Sequence, residues 1–136
     1  MIIDEITERV IACCFKVHKA LGSGFLEKVY ENALVIELFN SGMYVQQQVP
    51  ITVKYEGKAV GEYFADIVIG DKIICELKAN EHLSKDHETQ LVHYLAATGR
   101  DIGLLINFGR SVAVRRKYRE FRDTRSVLTS APSDVV

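Results

Sequence analysis

The chain has 136 residues, 48% of them hydrophobic and 26% charged, with a formal net charge of −1. That is the composition of one ordinary globular domain, long enough to bury about two-thirds of its unfolded surface. It excludes a helix across a bilayer, which needs about 20 consecutive apolar residues, and a signal peptide, since the acidic start MIIDEITERV has neither the basic nor the apolar block. Cys13, Cys14 and Cys75 show no CxxC or Cys/His spacing, so no structural zinc is expected, and the expectation is a reduced, cytoplasmic protein without a membrane partner. The charge is unevenly placed: residues 110–125 hold seven Lys/Arg against two acids, leaving about −6 for the remainder. Such a split marks either an anionic partner or a solvated last strand and tail.

In chain order, apolar residues at 3, 6, 10, 13 or 14, 17 and 21 predict an amphipathic helix over 3–20. The LGSG segment stops it. A second helix is expected over about 25–40, with SGM closing it. The stretch VPITVKYEGKAVGEYFADIVIGDKIICELKA has β-branched runs broken by Glu-Gly, Gly-Glu and Gly-Asp, which predicts three strands. Ser84 is a good cap for a third helix running to Thr98, with Gly99 behind it. Residues 102–108 and 111–118 read as two more strands. Runs 62–69 and 72–78 are apolar on both faces, so they belong centrally, with helices on each side. The order is ααβββαββ, an α/β fold with a central mixed sheet of about five strands. One domain over 1–120 and a polar tail over 121–136 are expected.

Within DIVIGDKIICELK, Glu76 and Lys78 share one strand face, and Cys75 and Leu77 the other. A two-residue turn at Gly70-Asp71 would pair Asp66 with Cys75. A three-residue loop or a bulge would instead set Asp66 beside Glu76. Two adjacent carboxylates repel unless a cation lies between them, and Mg²⁺ or Mn²⁺ suits such a pair. A structural ion pair with Lys78 is the competing account of the same residues.

The hairpin resembles the core of the PD-(D/E)XK nuclease-like superfamily, whose Asp and ExK tripeptide fall here on Asp66, Glu76 and Lys78, with Ala65 where the superfamily's name has proline. GFLEKVY resembles the G-x-x-E-x-x-Y signature of the GxxExxY branch. VHKALGSGFLEKVYENAL, YFADIVI, ICELKA, HETQLVHYL and GLLINFG follow in that branch's order, over about residues 3–118.

The resemblance implies a restriction-endonuclease-like core and a Mg²⁺- or Mn²⁺-dependent phosphodiesterase acting on DNA or RNA. It implies a metal held by Asp66, Glu76, the Leu77 carbonyl and Glu27, with Lys78 positioning the attacking water. By the same resemblance Gln90 orients the site, while Tyr94 and Tyr30 contact substrate. Arg115, Arg116, Lys117 and Arg119 would hold backbone phosphates, and a homodimer would act on two strands. Taken as residues alone, Glu27 also suits the first turn of a helix, where a carboxylate meets free amides, and Tyr30 suits a core. His87, Gln90 and Tyr94, three and four apart, share one helix face. A nuclease-like scaffold that binds nucleic acid or assembles with protein without turnover is the alternative function, and another phosphoester is the alternative substrate.

Overall fold

The computed structural model describes residues 2–119; the tail expected over 121–136 lies outside them. The order is α1 (Ile3–Leu21), α2 (Glu27–Asn40), β1 (Val45–Tyr55), β2 (Lys58–Ile69), β3 (Ile73–Lys78), α3 (Lys85–Thr98), β4 (Ile102–Phe108) and β5 (Val112–Tyr118). This is the ααβββαββ order expected from the pattern. The five strands lie in sequence order in one sheet. Only β3 and β4 run parallel, because α3 carries the chain back between them.

The helices cover both faces, as the two-sided apolar runs require. On one face Val10, Cys14 and Val17 of α1 and Leu34 and Leu38 of α2 pack on Ile67, Ile69, Cys75, Leu77, Leu104 and Ile106. On the other, Leu91, Tyr94 and Leu95 of α3 pack on Ile51, Ala65, Val68, Ile74 and Leu105. Cys14 and Cys75 lie in the first core, and burial pushes both thiols up, that of Cys14 to about 12.

Three boundaries differ from the sequence pattern, each for a local reason. Strand β1 begins at Val45, because Gln46 and Gln47 continue its ladder with β2 despite their polarity. Strand β2 runs through Gly61-Glu62 without a break, the register shift falling at Val53/Lys54 on its partner. Helix α2 starts at Glu27 behind an N-cap at Leu26, so Glu27 is its first residue.

Candidate active site

The turn between β2 and β3 decides the face question. Gly70 and Asp71 both take positive φ, and the Lys72 amide donates to the Ile69 carbonyl at 3.0 Å. Lys72 is then passed over, so pairing resumes as Ile69↔Ile73, Val68↔Ile74 and Ile67↔Cys75. This is the bulged alternative, and it sets Asp66 opposite Glu76.

The backbone ladder ends at Ile67↔Cys75, and side chains take over. The Asp66 amide donates to Glu76 Oε1 at 3.1 Å, and the Leu77 amide donates to Asp66 Oδ2 at 2.8 Å. Each carboxylate thus occupies a place the opposite strand's backbone would have filled. Glu76 is buried beside Ile74's face of the sheet, and Asp66 is half-buried. Burial first, and then the Asp66 charge, push the Glu76 carboxyl up to about 9. Burial also raises Asp66, against the Leu77 amide that favours its ionised form. Both causes favour the protonated form of Glu76.

Lys78 follows two residues after Glu76 and lowers that carboxyl through its charge. Its ammonium makes no hydrogen bond or ion pair among the described residues. The strand end that carries it is fixed just beyond: Asn107, buried on β4, accepts from the Asn80 amide at 3.0 Å and donates to the Asn80 carbonyl at 2.9 Å.

A third acid comes from α2, and it is Glu31, which the sequence reading passed over. Glu31 is 4% exposed and accepts from Gln47 Nε2 at 2.5 Å, Gln48 Nε2 at 3.0 and 3.1 Å, and Lys28 Nζ at 2.9 Å. Gln48 Nε2 also donates to Asp66 Oδ1 at 3.3 Å, so one amide bridges the two acids. Gln48 holds a positive φ of 54° where β1 passes Asp66, a conformation uncommon outside glycine. The signal that could have found Glu31 is its place among Tyr30, Leu34 and Leu38, on the buried stripe of α2.

The remaining expected residues divide. Glu27 is exposed and makes no hydrogen bond or ion pair among the described residues, while Glu31, one turn further on, is the α2 carboxylate joined through Gln48 to Asp66. Tyr30 is fully buried: its hydroxyl donates to the Gly22 carbonyl at 2.6 Å and accepts from the Phe25 amide at 3.2 Å, and its ring stacks on Phe108 at 4.7 Å. It packs as a core tyrosine. Leu77 brings its amide to Asp66 while its side chain sits in the α1–α2 core.

Gln90 and Tyr94 line a cleft of about 1190 Å³ between α3 and the β1–β2 hairpin. After burial, the Glu76 charge is the largest cause raising the Tyr94 hydroxyl to about 12, with Tyr63 and Asp66 behind it. Tyr94 thus lines the cleft within electrostatic reach of Glu76 and Asp66. His87 completes a capping box with Ser84 at the start of α3.

The basic residues of β5, expected to hold phosphates, each make an ion pair within the fold. Arg115 and Lys117 both meet Glu88 of α3, at 2.6 and 3.0 Å, and hold its carboxyl below the usual range. Arg116 faces the other way, to Asp4 of α1 at 2.9 Å, and Arg119 meets Asp101 at 2.9 Å. Alternation along β5 splits the cluster between two faces.

A model of the PD-(D/E)XK nuclease superfamily matches residues 4–121. The chain belongs to the PD-(D/E)XK nuclease superfamily. Its Asp66, Glu76 and Lys78 occupy adjacent strands of a nuclease-like fold. Among solved structures, "Crystal structure of SSO0001" is 20% identical with a TM-score of 0.56, covering 71% of this chain and 52% of that one. The alkaline exonuclease LHK-Exo from Laribacter hongkongensis is 15% identical with a TM-score of 0.47, covering 79% of this chain and 61% of that one. This superfamily member thus spans between about half and three-fifths of the length of those two proteins. No curated protein sequence matches it.

A divalent ion fits this donor set in one way. Among the described residues no three or more His, Cys, Asp or Glu side chains are arranged as metal ligands, which a zinc site would require. Mg²⁺ and Mn²⁺ instead keep several waters and take one or two carboxylates. Asp66 and Glu76 supply two, and a cation between them would offset the repulsion and burial that raise both carboxyls.

Proposed function

We propose that the protein is a divalent-metal-dependent phosphodiesterase that cleaves nucleic acid, of the GxxExxY branch named by its GFLEKVY segment. The observation that carries this reading is the Asp66–Glu76 pair, two carboxylates locked side by side by backbone amides, with the uncommitted ammonium of Lys78 next along the strand. A structural ion pair would have consumed that ammonium.

Asp66 and Glu76 would hold Mg²⁺ or Mn²⁺, with the Leu77 carbonyl as a further oxygen; when bound, the ion neutralises charge on the attacked phosphate. Lys78 orients the attacking water and stabilises the phosphate's developing charge. Glu31 acts through Gln48, whose amide fixes the rotamer of Asp66. Tyr94 and Gln90 flank the approach from the cleft.

The test incubates purified protein with labelled single- and double-stranded DNA and RNA, with Mg²⁺, Mn²⁺ or a chelator. Metal-dependent cleavage is expected, falling about 10²–10⁴-fold in Lys78→Ala and at least as far in Asp66→Ala. Cleavage that survives both substitutions would overturn the site. Absence of cleavage on every substrate, together with binding that ignores metal, would instead establish the non-catalytic scaffold.

A further inference from the structure

The cleft beside the carboxylates contains chemistry that the hydrolytic site does not use. One wall is the β1–β2 hairpin and the other is α3. Tyr63 of β2 projects into it, 45% exposed, with its ring 5.5 Å from that of Tyr94 and tilted at 43°. Gly61, two residues earlier, makes room for that ring: a Cβ there would stand 3.2 Å from a Tyr63 ring carbon. Tyr94 is only 7% exposed, yet its hydroxyl has no hydrogen-bond partner among the described residues. That hydroxyl is not itself among the buried polar atoms left without a partner, so it opens to the cleft, where it is free to donate to a ligand.

The lining also says what kind of ligand. Its charged groups are Lys54 and Asp86, which nearly cancel, so the cleft is no electrostatic trough for a duplex backbone. Its volume exceeds the roughly 300–1,000 Å³ of a small-molecule pocket and suits a stretch of polymer. Its most exposed aromatic surface is Tyr63. An aromatic ring binds any base by stacking, but only a base whose face is free, because neighbours cover both faces inside a duplex.

We propose that this cleft is a subsite for unpaired nucleotides of a single-stranded nucleic acid, with a base stacked on Tyr63 and the Tyr94 hydroxyl donating to the strand as it reaches Asp66 and Glu76. The assignment rests on the phosphodiesterase reading and narrows its substrate to single strands or frayed ends. Tyr63 is a substrate-positioning residue; it touches no reacting atom. Gln90 and Thr89, on the α3 wall, are placed to meet base edges.

Binding is measured by fluorescence anisotropy in the Glu76→Gln background with Mg²⁺, so that the probe stays intact. The probes are a short labelled oligothymidylate and a blunt duplex. Tyr63→Ala should weaken oligothymidylate binding about tenfold, the effect of losing one base–aromatic stack, while leaving the duplex unchanged. Tyr63→Phe should bind as its parent does. Circular dichroism confirms that each variant is folded, and Gly61→Val provides a second variant that displaces the ring without removing it; it should weaken binding similarly. Equal binding by Tyr63→Ala and its parent, equal losses on both probes, or no oligothymidylate binding at all would overturn the subsite. The two proposals fail separately. Wild-type cleavage with Tyr63-independent binding removes the subsite alone, whereas Tyr63-dependent binding without wild-type cleavage removes the catalytic reading alone.

Discussion

Glu31 and Glu27 lie one turn apart on α2, and the structure gives them opposite circumstances. Glu31 is buried and gathers Gln47, Gln48 and Lys28; Glu27 stands in solvent. A buried carboxylate is retained only where donors compensate its lost hydration. Here the compensating Gln48 amide also holds Asp66. Glu31→Gln should therefore weaken Mg²⁺-dependent cleavage by about 10–100-fold, the usual cost of losing a group that orients a metal ligand. It should raise the Mg²⁺ concentration needed for half-maximal rate. Glu27→Gln should leave both unchanged and shift stability by no more than about 0.5 kcal/mol. Parallel Mg²⁺ titrations of the two variants check this, and equal losses in both would return the role to Glu27.

At the scale of elements, the sequence showed order and type well, because 3.6-residue periodicity and β-branched runs are local signals. It posed the pairing of Asp66 but could not resolve it, since the answer lies in Lys72 being skipped after a turn at Gly70 and Asp71. Gln46–Gln48 carried no apolar pattern, so the first turns of β1 and the Gln48 bridge were invisible. Glu31 was less legible for a different reason: both glutamates fit a helix that approaches the site, and the G-x-x-E-x-x-Y motif names only the first. The buried Tyr30 next to it explains the second half of that motif by packing. Its hydroxyl ties Gly22 to Phe25, closing the loop that sets the angle between α1 and α2. Tyr30→Phe should cost roughly 1–3 kcal/mol by leaving those backbone groups without their partner. The Phe108 stack and the rate per folded molecule should be preserved. Urea unfolding read beside activity separates the two, and a rate loss without a stability loss would restore Tyr30 to the substrate.

For the whole molecule, placing two acids at the point where β2 and β3 part makes stability depend on pH, and the proposed cation would couple that dependence to metal. The Glu76 carboxyl, ordinarily near 4.5, stands at about 9 in the fold. Between those values the folded chain keeps a proton that the unfolded chain has released, so the contribution is full below about pH 4.5 and is lost as pH rises through 9. A cation bound by Asp66 and Glu76 must displace that proton, so its affinity grows with pH over the same window. The metal-free protein should thus melt at progressively lower temperature from pH 6 to pH 9, and Mg²⁺ should raise the melting temperature more at pH 9 than at pH 6. Glu76→Gln removes the titrating group while keeping its shape and its bond from the Asp66 amide. It should flatten the metal-free pH slope relative to wild type and abolish the pH-dependent part of the Mg²⁺ effect. Thermal melts of both proteins across that range test the claim. If the slope of Glu76→Gln matched that of the wild type, the proton would lie elsewhere, and the carboxylate pair would lose its standing as the place a cation enters.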